Sequence, residues 1–297
     1  MVARTRFLRL TAIAAIVATG AVASTAFAQR DGASPLQLAI AKTAAASSSK
    51  FNFTFGVSGV TGLPGGRAIT LKGSGASDTK HGTAIIHLNL GSLAPSLGAL
   101  TQGAAVPSTI DVLVVRNVLY VHFPAFAAKI RPGAEWLKLD PKTLPKTATG
   151  GANVGQLTSL DQKKLLAALA SAVTVKPVGT FKIGGVSTTH YAGTIDMNAF
   201  AAALPKEQRS SFQAAVKQVG LTSVPFDVWI DGQHLIRRLG VRLAHLKMQG
   251  AGAAISLRAQ VNLFGFGTPL EVVAPPASKT ADAGKLLGSL GTGTSSG

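Results

Sequence analysis

Val224-Pro225-Phe226-Asp227-Val228-Trp229-Ile230-Asp231-Gly232-Gln233-His234-Leu235-Ile236-Arg237-Arg238 is the stretch whose reading decides the fold. Phe226, Val228 and Ile230 alternate with Asp227, Trp229 and Asp231, a pattern that places the two sets on opposite faces of a strand. Asp231 and Gly232 supply turn chemistry, and the chain to Leu246 reads as the returning strand of a hairpin. A loop of Asp231 to His234 sets Ile230 opposite Leu235, Phe226 opposite Leu239 and Asp227 opposite Arg238, so that apolar and opposite-charge partners coincide. A two-residue Asp-Gly loop would set Asp227 against Ile236, and the longer loop is therefore expected. Phe226, Val228, Ile230, Leu239 and Val241 then share one face, and Trp229, Arg238 and Arg242 the other.

Upstream, Asn198 to Leu204 and Pro205 to Val219 read as two helical pieces, the second with Phe212, Ala215, Val216 and Val219 on one stripe and Gly220 at its end. Before them come two strands, Thr174 to Ile183 and Val186 to Asp196, joined at Gly184-Gly185. Ser159-Leu160-Asp161-Gln162 is a capping-box pattern, followed by Leu165, Leu166, Leu169 and Val173 at helical spacing. Downstream, Ala253, Ile255, Leu257, Ala259, Val261 and Leu263 alternate with polar residues in a long last strand. Pro269 to Val273 suggests a short further one, and the Pro-, Gly-, Ser- and Thr-rich tail, 274–297, is expected to be disordered.

In the N-terminal half, Ser34-Pro35 begins a helix that should stop at Ser47 to Ser49. Phe51, Phe53, Phe55 and Val57 then alternate along a strand. Leu63-Pro64-Gly65-Gly66 is a turn, and Ala68 to Ser77 and Thr83 to Leu90 are strands separated by Asp78-Thr79-Lys80-His81-Gly82. Residues 91 to 106 read only as a loop or short helix. Ile110 to Val115, Val118 to Phe123 and Glu135 to Leu139 are further strands, with Arg116-Asn117 turning between the first two, and Pro141 to Thr158 is a surface loop. About eleven strands with short connections predict one antiparallel sheet of α+β class, in a single domain over 29–273.

The chain has 297 residues, no cysteine and a formal net charge of +17. Disulfides and thiolate metal sites are excluded. Residues 1–28 run from basic Arg4, Arg6 and Arg9 through an apolar stretch to Ser24-Thr25-Ala26-Phe27-Ala28, the pattern of a cleaved secretory signal peptide. Those three arginines leave +14 on the remainder, an excess that attracts polyanions. Export points away from nucleic acid and toward anionic lipid or wall polymer.

Three blocks carry a resemblance: Val224 to Arg238; Asn117-Val118-Leu119-Tyr120-Val121 with Trp136-Leu137-Lys138-Leu139-Asp140; and His190-Tyr191-Ala192-Gly193-Thr194-Ile195-Asp196. In this order, over about residues 34 to 273, the chain resembles the actinobacterial lipoproteins typified by LprG and LppX, which are similar to LolA-like lipid carriers. The resemblance implies a strongly curved antiparallel half-barrel with helices packed on its concave face and an acyl-chain cavity between. It departs from the family in lacking the acylated lipobox cysteine, so the fold is implied and the anchor is not. His234 also stands where the family closes its hairpin loop with glycine, and Gly232 is a candidate for the positive-φ position.

On this reading the cavity is lined by Phe51, Phe53, Phe55, Val112, Val114, Leu119, Val121, Leu166, Leu169, Phe226, Val228, Ile230, Leu239 and Val241, with Arg237 at a basic rim facing lipid headgroups. The same apolar pattern also suits an ordinary dry core. Trp229 reads as an outer-face residue packed beside Ile236. Catalytic motifs of the His-Glu-x-x-His and Gly-x-Ser-x-Gly types are missing, and the histidines have no acid at a spacing that suggests a triad or a metal site. The expectation is a non-enzymatic, exported, monomeric protein that carries or senses an acylated lipid or lipoglycan in the cell envelope, with no cofactor other than bound lipid. An anionic membrane surface or an envelope protein is a further expected partner. The alternative is an interaction protein of the same fold with a filled core, binding another envelope protein or anionic wall polymer; a hydrolase ranks third.

Overall fold

A computed structural model describes residues 34–59, 68–94, 106–116, 118–140, 173–204, 206–246 and 254–283. The expected signal peptide, the expected turn at Leu63 to Gly66 and the helix expected after Ser159 lie outside these residues. Among them are helix α1 (Pro35–Ala45), strands β1 (Ser48–Ser58), β2 (Ile69–Asp78), β3 (Thr83–Asn89), β4 (Thr109–Val115) and β5 (Val118–His122), helix α2 (Pro124–Ile130), and strands β6 (Trp136–Leu139), β7 (Val173–Ile183) and β8 (Val186–Asp196). Helices α3 (Met197–Ala203) and α4 (Lys206–Val219) and strands β9 (Ser223–Asp231), β10 (Ile236–Leu246), β11 (Ile255–Phe264) and β12 (Thr280–Asp282) complete the order. The strands form an unclosed sheet in the order β12-β6-β5-β4-β3-β2-β1-β11-β10-β9-β8-β7. This is the α+β, antiparallel-dominated class expected, with twelve strands in place of about eleven.

Contacts divide the chain into two compact units. One holds β3 to β6, β12, α2 and most of β2; the other holds α1, β1, β7 to β11, α3 and α4.

In the second unit, α1 starts as its sequence dictates. The Ser34 hydroxyl accepts from the Gln37 N–H at 3.2 Å while the Gln37 side chain accepts from the Ser34 N–H at 3.0 Å, a reciprocal cap ahead of Pro35. The helix ends at Ala45, Ser47 turns the chain at φ 61°, and β1 begins at Ser48, earlier than the Phe51 expected. Leu36, Ala39 and Ile40 on α1 pack against Phe226, Val228, Ile230, Ile236, Val261 and Leu263. Thr43 ties the helix to β10, its hydroxyl accepting from the buried Ile236 N–H at 2.9 Å.

The β9–β10 hairpin differs from the expected pairing. Ile230 faces Ile236, and after a bulge between Ile236 and Arg238 the partners are Trp229 and Arg238, Val228 and Leu239, Asp227 and Gly240, and Phe226 and Val241. The cause is the Asp231 carboxylate. Oδ1 accepts from the N–H groups of Gln233 and Leu235, each at 2.9 Å, while the Asp231 N–H donates to the Leu235 carbonyl at 3.0 Å. This leaves Gly232 to His234 as a three-residue loop, and the left-handed position falls on His234 itself, at φ 60°, not on Gly232. Beyond the bulge the partners move by two positions from those expected, and a shift of two leaves each side chain on its expected face. Ile236, however, is buried in the core with α1 and does not lie beside Trp229.

The β7–β8 hairpin follows its sequence: Gly184 and Gly185 both take positive φ, at 56° and 82°. Gly193 on β8 sits opposite Phe226, where a Cβ would lie 2.7 Å from the Phe226 ring and 2.5 Å from the Thr174 carbonyl oxygen.

In the first unit, β2 and β3 are joined at Asp78, and β3, β4, β5 and β6 pair in sequence order, all antiparallel. Two features went unread in the sequence. Helix α2 follows Pro124 directly after β5. Residues 274–283 are ordered where disorder was expected: a 3-10 turn at Ala277–Lys279 leads into β12, which pairs with β6 in parallel. Ala281 and Ala283 are buried with Ala127, Ala134 and Leu137, and the Arg131 guanidinium donates to the Ala277 carbonyl at 2.7 Å. Alanine side chains fit a narrow gap that composition reads as lack of core. Residues 269–273 carry no strand pairing.

Candidate functional site: two apolar sheet faces

Register shows which expected cavity residues share a face. In the first unit, Ile86, Val112, Val121 and Leu137 form one cross-strand row and Ala84, Val114, Leu119 and Leu139 the next. Val112, Val114, Leu119 and Val121 therefore lie together. Toward β6 this face runs into the core made with α2 and β12, where Leu137 is buried and Val121 and Leu139 pack at the margin. Toward β3 and β4 it is half-buried throughout: Ala84, Ile86, Val112 and Val114 each keep part of their surface in water.

The second unit presents the other ten, less two. Leu166 and Leu169 lie outside the described residues. Phe53, Val261, Leu239 and Val228 form one row, and Phe55, Ala259, Val241 and Phe226 the next. Val228 is 0% exposed, and Phe226 and Ile230 are buried with it against α1. Phe51, Phe53, Leu239 and Val241 pack partly buried around that cluster, and Phe55 does so around a neighbouring one. In this conformation the apolar surface at the centre of the face is taken by the helix.

Arg237, expected at a rim, is engaged within the protein. Its Nε donates to Asp231 Oδ2 at 2.6 Å, and its guanidinium lies 5.0 Å from the centre of the Phe266 ring.

The opposite face of the second unit carries a row that sequence reasoning did not assemble: Asn52, Asn262, Arg238, Trp229 and His190 are successive cross-strand partners. The His190 ring stacks on Trp229 at 4.3 Å, Arg238 lies over the indole at 5.5 Å and donates to Asn262 Oδ1 at 2.6 Å, and Asn262 donates to Asn52 at 2.6 Å. Asp227 Oδ1 sits 2.7 Å from His190 Nε2 and so pairs with the histidine, not with Arg238 as expected. His81 with Asp78 and His87 with Asp111 make two more pairs at 2.7 Å. Linear spacing suggested neither a triad nor a metal site around these histidines, and the structure gives each of the three a single carboxylate partner. Two of the three partners are brought together by sheet register, directly or diagonally, over separations that linear spacing does not show.

Burial pushes the Asp78 carboxyl up, but hydrogen bonds from the His81 ring and N–H, the His81 charge and the Lys80 N–H outweigh it and hold the group below its ordinary value. Glu135 is held low by Lys279, whose Nζ lies 2.7 Å away. Ser74, His87 and Asp111 stand in one cross-strand row, but on exposed strand positions inside the sheet ladder, where Ser74 has no hydrogen bond to His87 and no oxyanion-binding N–H pair is presented. No group of three metal-ligating side chains occurs among the described residues.

These features define an open antiparallel α+β sheet with one apolar face closed by a helix and another half-closed. No family model matches the chain. It is 25% identical, over 83% of its length and 77% of the relative's, to an uncharacterized 31.2 kDa protein of Streptomyces griseus. Among solved structures it is similar to the Mycobacterium tuberculosis lipoprotein LppX, at 17% identity over 80% of this chain and 98% of that one, with a TM-score of 0.43. It is also similar to LprF from Mycobacterium bovis, at 14% identity over 82% of this chain and 97% of that one, with a TM-score of 0.44.

Proposed function

We propose that this protein is an exported lipid-binding protein of the cell envelope, and that an acyl chain lies on the apolar face of β3, β4 and β5. The observation that carries the reading is the half-buried state of Ile86, Val112, Val114, Leu119 and Val121, which share one face by register and keep apolar surface in water. Each methylene moved from water onto such a surface gains about 0.8 kcal/mol. An acyl chain is linear and apolar, and a continuous cross-strand stripe suits it. No bond is made or broken. Binding is burial of the chain, followed by release where another apolar surface competes for it.

The resemblance to LprG- and LppX-type lipoproteins supports this reading, as does the signal-peptide pattern of residues 1–28. A second reading is favoured by one observation: α1 fills the centre of the apolar face in the second unit, as in an interaction protein with a closed core.

Native mass spectrometry and solvent extraction of protein purified from an actinobacterial host test the proposal. The expected result is co-purifying acylated lipid, lost when Val114→Asp places a charge in the stripe. Lipid-free protein that also excludes a hydrophobic probe dye would overturn it and leave the interaction reading.

A further inference from the structure

The outer face of the second unit, turned away from α1, has a charge pattern that the apolar site does not explain. Arg242 on β10 and Arg258 on β11 are direct cross-strand partners, and both are exposed. Like charges directly opposite destabilise a strand pair. Neither has an ion-pair partner among the described residues. Beyond Arg258 the next partner is Gly56, whose bare backbone leaves room beside the guanidinium. Arg238 lies four residues from Arg242 on the same face, and Lys50 and Phe264 face each other at the far end of β1 and β11.

The described residues on this face of β1, β10 and β11 include no carboxylate; Asp227 on β9 is bound to His190. Two aromatic rings share the face with these cations. Phe264 is 41% exposed, and Trp229 lies under Arg238. An anionic group seated across Arg242 and Arg258 would replace their mutual repulsion with two charge-assisted contacts. A soluble polyanion would satisfy the arginines and leave Phe264 in water. A bilayer rich in anionic headgroups satisfies both, because aromatic rings are favoured at the membrane interface and cations at its charged surface.

We infer that the outer face of β1, β10 and β11 is a docking surface for an anionic phospholipid bilayer, with Arg242 and Arg258 as its principal headgroup contacts and Phe264 as its interfacial ring. This inference goes beyond the acyl-chain proposal and does not depend on it. Docking is read by vesicle flotation, and acyl burial by lipid extraction.

The test uses phosphatidylcholine vesicles with and without phosphatidylglycerol. The expected result is flotation only with phosphatidylglycerol, reversed by salt. R242Q/R258Q should weaken binding by about thirtyfold, from about a factor of five to six per cation. K80Q/K129Q, which removes the same charge from exposed positions of the first unit, should stay within about threefold of the unchanged protein. Phe264→Ser should weaken vesicle binding and leave retention by soluble polyphosphate unchanged. Equal losses for the two charge pairs would overturn the inference in favour of net charge alone. Binding to polyphosphate with none to vesicles would overturn it in favour of a wall polymer. A matching circular dichroism spectrum for each variant keeps unfolding from imitating either result.

Discussion

The apolar face of β9, β10 and β11 and the apolar face of β3, β4 and β5 are both built mainly of Val, Ile and Leu in cross-strand rows, the first from alternating strands and the second from the more continuous apolar runs 84–86 and 112–115, yet they end in different states. In the second unit, Leu36, Ala39 and Ile40 of α1 close over Val228 and its neighbours. In the first unit, among the described residues, α2 and β12 close the β6 side, and β3 and β4 keep their apolar residues half-buried. A strand's alternation fixes which face is apolar. Whether that face is dry depends on the length and side-chain size of whatever the chain brings to it from elsewhere.

The largest expected effect breaks or upholds this contrast directly. Ile230→Ala, in the closed face, should cost about 3 kcal/mol in urea denaturation, while Ile86→Ala in the half-buried face should cost about 1 kcal/mol. Equal costs would mean that the two faces are packed alike. Thr43→Val comes next. It removes the acceptor for the buried Ile236 N–H that fastens α1 to its face, and the expected loss is about 2 kcal/mol. Hydrogen exchange at Ile236 should accelerate in the same variant; protection that stays unchanged would show that α1 is held by packing alone.

Asp78→Asn tests the first unit at its β2–β3 turn and should cost about 1 kcal/mol at neutral pH through weakened contacts with His81. The Asp78 carboxyl is held below its unfolded value, so its contribution is whole above about pH 4 and fades as pH falls through the folded value. The difference between Asp78→Asn and the unchanged protein should shrink on acidification. A difference that grows would reverse the sign assigned to this group.

Which side chains share a face was largely legible in the sequence, and the rest was hidden for physical reasons. Alternation placed Phe226, Val228 and Ile230 on one face and Trp229 and Arg238 on the other, and the Ser34 cap and the Gly184-Gly185 turn were read from local chemistry. The hairpin partners were missed because the Asp231 carboxylate closes a three-residue loop and a bulge follows, events that depend on one side chain's hydrogen bonds. The ordering of residues 274–283 was missed because Ala281 and Ala283 are small, and their burial is decided by the width of the gap beside β6. His190 with Asp227, 37 residues apart, meets only through register. For the candidate site, the apolar residues were named from the pattern, but an apolar row reads the same in sequence whether or not a helix closes over it.

The central claim is that the face of β3, β4 and β5 takes an acyl chain while the face of β9 to β11 does not. Photo-crosslinking with a diazirine-labelled fatty acid, followed by peptide mass mapping, tests it most directly. The account predicts label on the peptides spanning 83–89 and 109–122, competed away by unlabelled lipid. Label concentrated on 224–241, or label that unlabelled lipid fails to displace, would contradict it.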